Sequence, residues 1–147
     1  MVGRKLNLGC GLNWKELYPH YLGLDIIDYG QAYVGDVIKV LPTIEDNAFD
    51  EVMANHFLEH FSQDEIKKIF KLVYRILKPE GIFRIVVPQL GKERAWILSH
   101  KTFWNETTVR WLAEREADII YGFGKWKVDE ILVNSRKDIH AMLRKIK

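Results

Sequence analysis

Apolar positions along this chain fall into short runs that switch between a period of two and a period near 3.6. Lys5–Leu8 (K-L-N-L), Tyr21–Asp25 (Y-L-G-L-D), Tyr33–Asp36 and Phe49–Asn55 (F-D-E-V-M-A-N) read as strands. Ile82–Val87 (I-F-R-I-V-V) is rich in β-branched residues and reads as a central strand. A short helical turn is expected over Trp14–Tyr18, stopped near Pro19. The strongest helix signal spans Ser62–Lys78: Ile66, Ile69, Phe70, Val73 and Leu77 make one apolar stripe. Ser62 and Glu65 form an S-x-x-E capping box at its start, and Pro79 with Gly81 ends it. Asn105 is a candidate cap for a helix over Glu106–Glu116. Ile119–Phe123 and Lys127–Val133 read as two strands joined by a turn at Gly124, and Ser135 with Asp138 predicts a capped helix running to the end. Strands alternating with helices predict an α/β fold, with a parallel sheet covered on both faces.

Composition narrows the picture. At 147 residues, with 48% hydrophobic and 29% charged positions, the chain is expected to form a single soluble globular domain over residues 1–147. Its one cysteine excludes a disulfide scaffold. No apolar run approaches the roughly 18 residues of a membrane span. Asn7 and Gly9 interrupt the N-terminal apolar run, so no export signal is expected and a cytoplasmic location is the default. The net charge of +2 hides an asymmetry: residues 125–147 carry a net +4 and the rest a net −2. The basic end reads as a solvated helix terminus, with Arg144, Lys145 and Lys147 at the negative pole of the helix dipole. Without aromatic interleaving or a long basic run, nucleic acid is not an expected partner.

The segment L-N-L-G-C-G at positions 6–11 carries the first chemical signal. Gly9 and Gly11 let the backbone turn sharply beside a ligand, at the carboxyl end of a strand where open α/β sheets bind nucleotides. The dinucleotide fingerprint G-x-G-x-x-G fails because Trp14 holds its third glycine position, and no G-K-S or G-K-T completes a P-loop. Asp25 ends the second strand, where a carboxylate can accept from the two hydroxyls of a ribose. Asp36, after the next strand, is placed to reach an adenine amino group. Both also fit ordinary loop carboxylates.

Taken together, L-N-L-G-C-G, Y-L-G-L-D, L-P-T-I-E-D-N-A-F-D-E-V-M-A-N-H-F-L-E-H-F and I-L-K-P-E-G-I-F-R-I-V-V-P resemble, in order and spacing, the class I S-adenosylmethionine-dependent methyltransferases, and most closely the small type 11 methyltransferase domains. The resemblance runs from Lys5 to about Gln89. It implies a Rossmann-like sheet of order 3-2-1-4-5-7-6 with strand 7 antiparallel, and S-adenosylmethionine as cofactor. It also implies that Gly9, Cys10 and Gly11 cradle the methionine portion, with Asn7 on the cofactor side orienting that loop. Asp25 and Ile26 would hold the ribose, Asp36 and Val37 would border the adenine, and Asn55 and His56 would line the sulfonium side. The chain departs from the family pattern in three places. Asn7 replaces an acidic residue, Asn13 replaces the third glycine, and Asp25 follows Gly11 by only 14 positions, so the first crossover helix is short.

His56-Phe57-Leu58-Glu59-His60 matches the H-x-x-E-H pattern of a zinc hydrolase. It lies between a strand and a helix cap, which makes it a loop or single turn, and we expect no metal there. On this reading Glu59 and His60 stabilise the loop and His56 faces the site. A metal assisting methyl transfer through His56, Glu59 and His60 is the competing reading. Methyl transfer is an in-line displacement dominated by alignment, and a base is needed only when the acceptor must lose a proton. His56 and His60 are the candidates for that base. Trp96, His100, Phe103 and Trp104 form either an aromatic wall for the acceptor or packing for the core or a dimer.

The expected function is methyl transfer to a small-molecule, saccharide or lipid-linked acceptor. A non-catalytic nucleotide-binding module and a metal hydrolase are the alternatives, and a homodimer is compatible with the aromatic segment. The first strand begins at Lys5, so the helices that often cover the acceptor in this family have no counterpart before it. An open site, or one completed by a neighbouring subunit, is expected.

Overall fold

A computed structural model describes residues 3–91, 97–114 and 124–146. Its strands are β1 (Lys5–Leu8), β2 (Leu22–Asp25), β3 (Tyr33–Val34), β4 (Phe49–Asn55), β5 (Leu77–Pro88), β6 (Trp126–Val133) and β7 (Asp138–Lys145). They form one seven-stranded sheet of order β3-β2-β1-β4-β5-β7-β6. Pairing is parallel from β3 through β5, and β7 runs antiparallel to both β5 and β6. This is the Rossmann-like methyltransferase order expected above.

The helices are short except one: α1 (Trp14–Leu17), α2 (Val37–Val40), α3 (Gln63–Ile76) and α4 (Glu106–Trp111). In α3, Ile66, Ile69, Phe70, Val73 and Ile76 are buried, so the predicted stripe faces the sheet. Leu77 already belongs to β5, and Glu80 and Gly81 form an irregularity inside that strand rather than a separate turn. A side chain at Gly81 would sit 2.7 Å from the Lys78 carbonyl, which explains the glycine there. Phe70 meets Phe83 edge-on, and Trp126 packs on both Phe70 and Tyr74. This cluster closes the core beneath α3, where leaving a void would cost several kcal/mol per large side chain.

The capping box at α3 is present. Ser62 Oγ accepts from Glu65 N at 3.3 Å, and Glu65 Oε1 accepts from Ser62 N at 3.0 Å. That second bond is the main cause holding the Glu65 carboxyl below its ordinary value of 4.5. A depressed folded-state value means that its contribution to stability is complete above pH 4.5 and is lost as pH falls through the folded value. Ser62→Ala is expected to cost about 1 kcal/mol at neutral pH. In urea unfolding, the gap between wild type and Glu65→Gln should close as pH falls below 4.5.

The C-terminal helix is not formed. Residues 138–145 are the strand β7, hairpinned to β6 through residues 134–137, where Asn134 Oδ1 accepts from both Arg136 N and Asp138 N at 3.0 Å. Ser135 and Asp138 serve a turn, and the alternation Ile139, Ala141, Leu143 inward is a strand period. The turn expected at Gly124 has its preceding strand, residues 119–123, outside the described residues. The basic end is therefore not a solvated helix terminus. Lys145 is buried, and its Nζ donates to the carbonyls of Tyr74 and Leu77 at 2.7 and 2.8 Å. It satisfies the C-terminal carbonyls of α3 rather than those of its own segment. Burial pulls its ammonium below the ordinary lysine range.

Candidate functional site

The turn after β1 is held by Gly9 N and Cys10 N, which both donate to the Leu24 carbonyl, at 2.8 and 3.1 Å. Gly9 and Gly11 have φ of +68° and +75°, in the left-handed region that glycine occupies without strain. A Cβ on Gly9 would lie 2.4 Å from the Phe57 ring, whereas one on Gly11 would meet no protein atom within 4 Å. Asp25 is fixed from two sides: its Oδ2 accepts from Gly11 N and its Oδ1 from Ile27 N, both at 3.0 Å. Its carboxylate thus ties the glycine loop to the end of β2.

These residues border a cavity of about 360 Å³ lined by Gly9, Leu24, Asp25, Ile26, Gly35, Asp36, Val37, Phe57, His60, Phe61 and Glu65. That volume is within the usual range for a small-molecule site, about 300–1,000 Å³. Ile26 is 72% exposed beside Asp25, an apolar surface available to a flat ring. Asp36 is the N-cap of α2, with its Oδ1 accepting from Ile38 N at 3.0 Å. This duty shortens the third strand, which was expected to run to Asp36.

A second cavity of about 860 Å³ lies on the sheet face opposite α3, lined by Tyr18, Tyr21 and residues of β4 to β7. Asn55 and His56 both border it, and Asn55 Nδ2 donates to Tyr18 Oη at 2.9 Å. His56 lines this cavity, and the next residue, Phe57, lines the smaller one. His56 has φ +51°, an uncommon backbone for a non-glycine residue. Its Nδ1 lies 3.5 Å from Glu59 Oε2 and its Nε2 3.7 Å from Asp138 Oδ2, so carboxylates face both ring nitrogens.

Of the residues singled out in the sequence, Gly9, Asp25, Ile26, Asp36, Val37 and His60 border the smaller cavity, and Asn55 and His56 the larger. Gly11 reaches the smaller through Asp25. Cys10 and Asn7 do not line either. The Cys10 side chain packs beneath Gly23, and burial followed by the Asp25 charge pushes its thiol up. Asn7 is 3% exposed, with Oδ1 lacking a hydrogen-bond partner. The segment Leu58–His60 is a single 3-10 turn, and Glu59 is buried at its centre. The aromatic group divides. Trp104 is a core residue, Phe103 lines a separate surface cavity, His100 meets His60 edge to face, and Trp96 is outside the described residues.

Sequence reasoning missed Gln31, whose amide donates to the Ile27 and Tyr33 carbonyls at 2.9 and 3.1 Å and shapes the loop beside Asp25. It also missed Arg84, Glu130, Asp138 and His140 around the larger cavity. The signal for Asp138 and His140 was present in the alternation of residues 138–145.

A methyltransferase-domain family model matches residues 6–85. No curated protein matches the chain in sequence. Among solved structures, the chain is similar to an S-adenosylmethionine-dependent methyltransferase from Archaeoglobus fulgidus, with 18% identity over 97% of this chain and 86% of that one, at a TM-score of 0.71. It is also similar to the 1,6-didemethyltoxoflavin-N1-methyltransferase of Burkholderia thailandensis, which was solved with 1,6-didemethyltoxoflavin and S-adenosylhomocysteine bound (14% identity, 99% and 72% coverage, TM-score 0.71). A Mesorhizobium loti methyltransferase matches at 14% identity, 97% and 91% coverage and a TM-score of 0.65. At these identities the likeness speaks to the fold, and the family model speaks to the lineage. The chain belongs to the methyltransferase-domain family, the class I S-adenosylmethionine-dependent methyltransferases.

Proposed function

We propose that this methyltransferase holds its cofactor in the smaller cavity and a polar small-molecule acceptor in the larger one, with His56 between them as the base. The residues present suit S-adenosylmethionine. A glycine loop leaves open space above Gly11, an acceptor-only carboxylate stands at the end of β2, and an exposed apolar side chain lies beside it. Asp25 would take the ribose hydroxyls, Ile26 and Val37 would flank the adenine, and Asp36 would face its amino group. Gly9, with the backbone of Cys10 and Gly11, would leave room for the methionine portion, and Asn7 would support the loop from beneath. When bound, the cofactor supplies an electrophilic methyl group on sulfur.

The observation that carries the reading is that His56 lines the larger cavity while its chain neighbour Phe57 lines the smaller, with Glu59 and Asp138 facing the His56 ring nitrogens. Glu59, 3.5 Å from Nδ1, orients the ring, Nε2 takes the acceptor proton, and the two carboxylates offset the positive charge that forms. His60 borders the cofactor side and is the secondary candidate for that proton. Arg84, whose Nε lies 3.1 Å from Glu51 Oε1, and the nearby Glu130 and His140 give the larger cavity a mixed polar wall. That wall suits a hydroxyl-bearing acceptor, free or as a saccharide or lipid-linked group. No helix among the described residues is long and apolar enough to cross a membrane.

The test is formation of S-adenosylhomocysteine from S-adenosylmethionine across a panel of hydroxylated small molecules. With a responsive acceptor, His56→Asn should lower kcat on the order of a hundredfold or more while cofactor affinity stays unchanged. An unchanged kcat would remove His56 from the proton path.

A further inference from the structure

One cluster beside the site holds His100 and buried polar atoms that methyl transfer does not use. The loop at residues 97–104 is stitched to the turn Leu58–His60, because Lys101 N and Thr102 N both donate to the Glu59 carbonyl, at 2.8 and 3.2 Å. The stitching brings the His60 and His100 rings edge to face, with centroids 4.7 Å apart. One potential ligand atom each from Glu59, His60 and His100 then lie within 4.8 Å of one another. Two of the atoms in this cluster are stranded. Glu59 is 1% exposed, yet its Oε1 has no hydrogen-bond partner, since the ion-pair contact to His56 is made by Oε2. His100 Nδ1 is also buried without a partner. A buried carboxylate oxygen and a buried imidazole nitrogen left without partners are each costly, and native structures retain such groups only for a reason.

We propose that Glu59, His60 and His100 bind a divalent transition-metal ion, for which Zn²⁺ is the reference probe. A cation held by the three side chains gives the Glu59 carboxylate and the His100 ring a partner. Two imidazoles and one carboxylate are a donor set suited to Zn²⁺, Co²⁺ or Mn²⁺, whereas Ca²⁺ and Mg²⁺ favour oxygen ligands throughout. Ligand bonds of about 2.0–2.2 Å place neighbouring donors roughly 3.3 Å apart in a four-coordinate site, so the side chains must close inward by up to about 1.5 Å. His100 is half-buried on a loop and has that freedom. Three protein ligands leave at least one coordination position for water or an incoming oxygen. The set differs from the sequence grouping of His56, Glu59 and His60, because His56 faces the other oxygen of Glu59 and pairs with Asp138. By joining a turn after β4 to a loop some 40 positions later, the ion would pin residues 97–104 to the rim of the cavity that His60 lines. The site shares Glu59 and His60 with the surroundings of His56; with the ion bound, His60 is a ligand and His56 alone is left as the base, and ion binding is read without any methyl-transfer assay.

Metal-stripped protein titrated with Co²⁺ and followed by visible ligand-field absorption should saturate at one ion per chain. Zn²⁺ should displace the Co²⁺ and raise the melting temperature. Glu59→Gln, which keeps the buried shape, and His100→Ala, on the loop, should each weaken binding on the order of a hundredfold or more. His20→Ala, at an exposed histidine outside the cluster, should bind as wild type does. Absence of one-to-one saturation in the wild type would overturn the proposal. So would binding that survives both Glu59→Gln and His100→Ala in folded protein, or that depends on His20 instead.

Discussion

Asp25→Ala is expected to weaken S-adenosylmethionine and S-adenosylhomocysteine binding by roughly a hundredfold, about 2.7 kcal/mol. The Asp25 carboxylate does two jobs. It accepts from the Gly11 and Ile27 amides at 3.0 Å, which sets the loop, and it offers its remaining lone pairs toward the cavity. A hydrogen bond to a charged group contributes about 1.5–3 kcal/mol, so losing a ribose contact and loosening the loop together reach this size. Asp25→Asn separates the two jobs. It keeps one carbonyl oxygen but turns the other acceptor into a donor, which must face either an N–H or a hydroxyl. We expect it to fall between wild type and Asp25→Ala in isothermal titration calorimetry. Wild-type affinity in Asp25→Ala would remove this carboxylate from the cofactor site.

Gly9→Val should be the most damaging single change in the loop, and its contrast with Gly11→Ala is informative. At Gly9, any side chain must adopt φ +68° and place its Cβ 2.4 Å from the Phe57 ring. Left-handed backbone costs a non-glycine residue about 1–2 kcal/mol, and overpacking a fixed neighbour adds about 1–3 kcal/mol. Phe57 cannot simply swing away, because its ring packs on Phe61 at 4.7 Å. Both stability and cofactor binding should therefore fall in Gly9→Val. Gly11→Ala carries the left-handed cost at φ +75° but meets no protein atom. Thermal melting should register a loss of about 1–2 kcal/mol at Gly11, with a proportionally larger loss in cofactor titration, since the added methyl projects into open space at the loop.

Much of the fold could be read from local patterns. The stripe in α3, its Ser62–Glu65 box, the β-branched run in β5 and the glycine turn after β1 each combine residue types and spacing that have one good structural solution. Asp25 was legible for the same reason, as an acid ending a short strand at a set distance from glycines. The last strand was not, because Ser135 and Asp138 can cap a helix or build a turn, and a hairpin and a helix satisfy them equally well. The choice was made by β5, whose free edge accepts β7 and buries Ile139, Ala141 and Leu143.

The chain order of hydrophobic periods, glycines and carboxylates thus determined a Rossmann-like sheet and the position of its nucleotide-type loop. These are local matters of backbone freedom and one-sided burial. Tertiary structure decided which distant groups share a volume. It set Asp138 against His56, assigned Lys145 to the end of α3, turned Cys10 away from the cavity, and drew His100 across to Glu59 and His60. Electrostatic contacts and buried polar demands act between atoms a few ångströms apart, whatever their separation along the chain, and only the packed sheet fixes those distances.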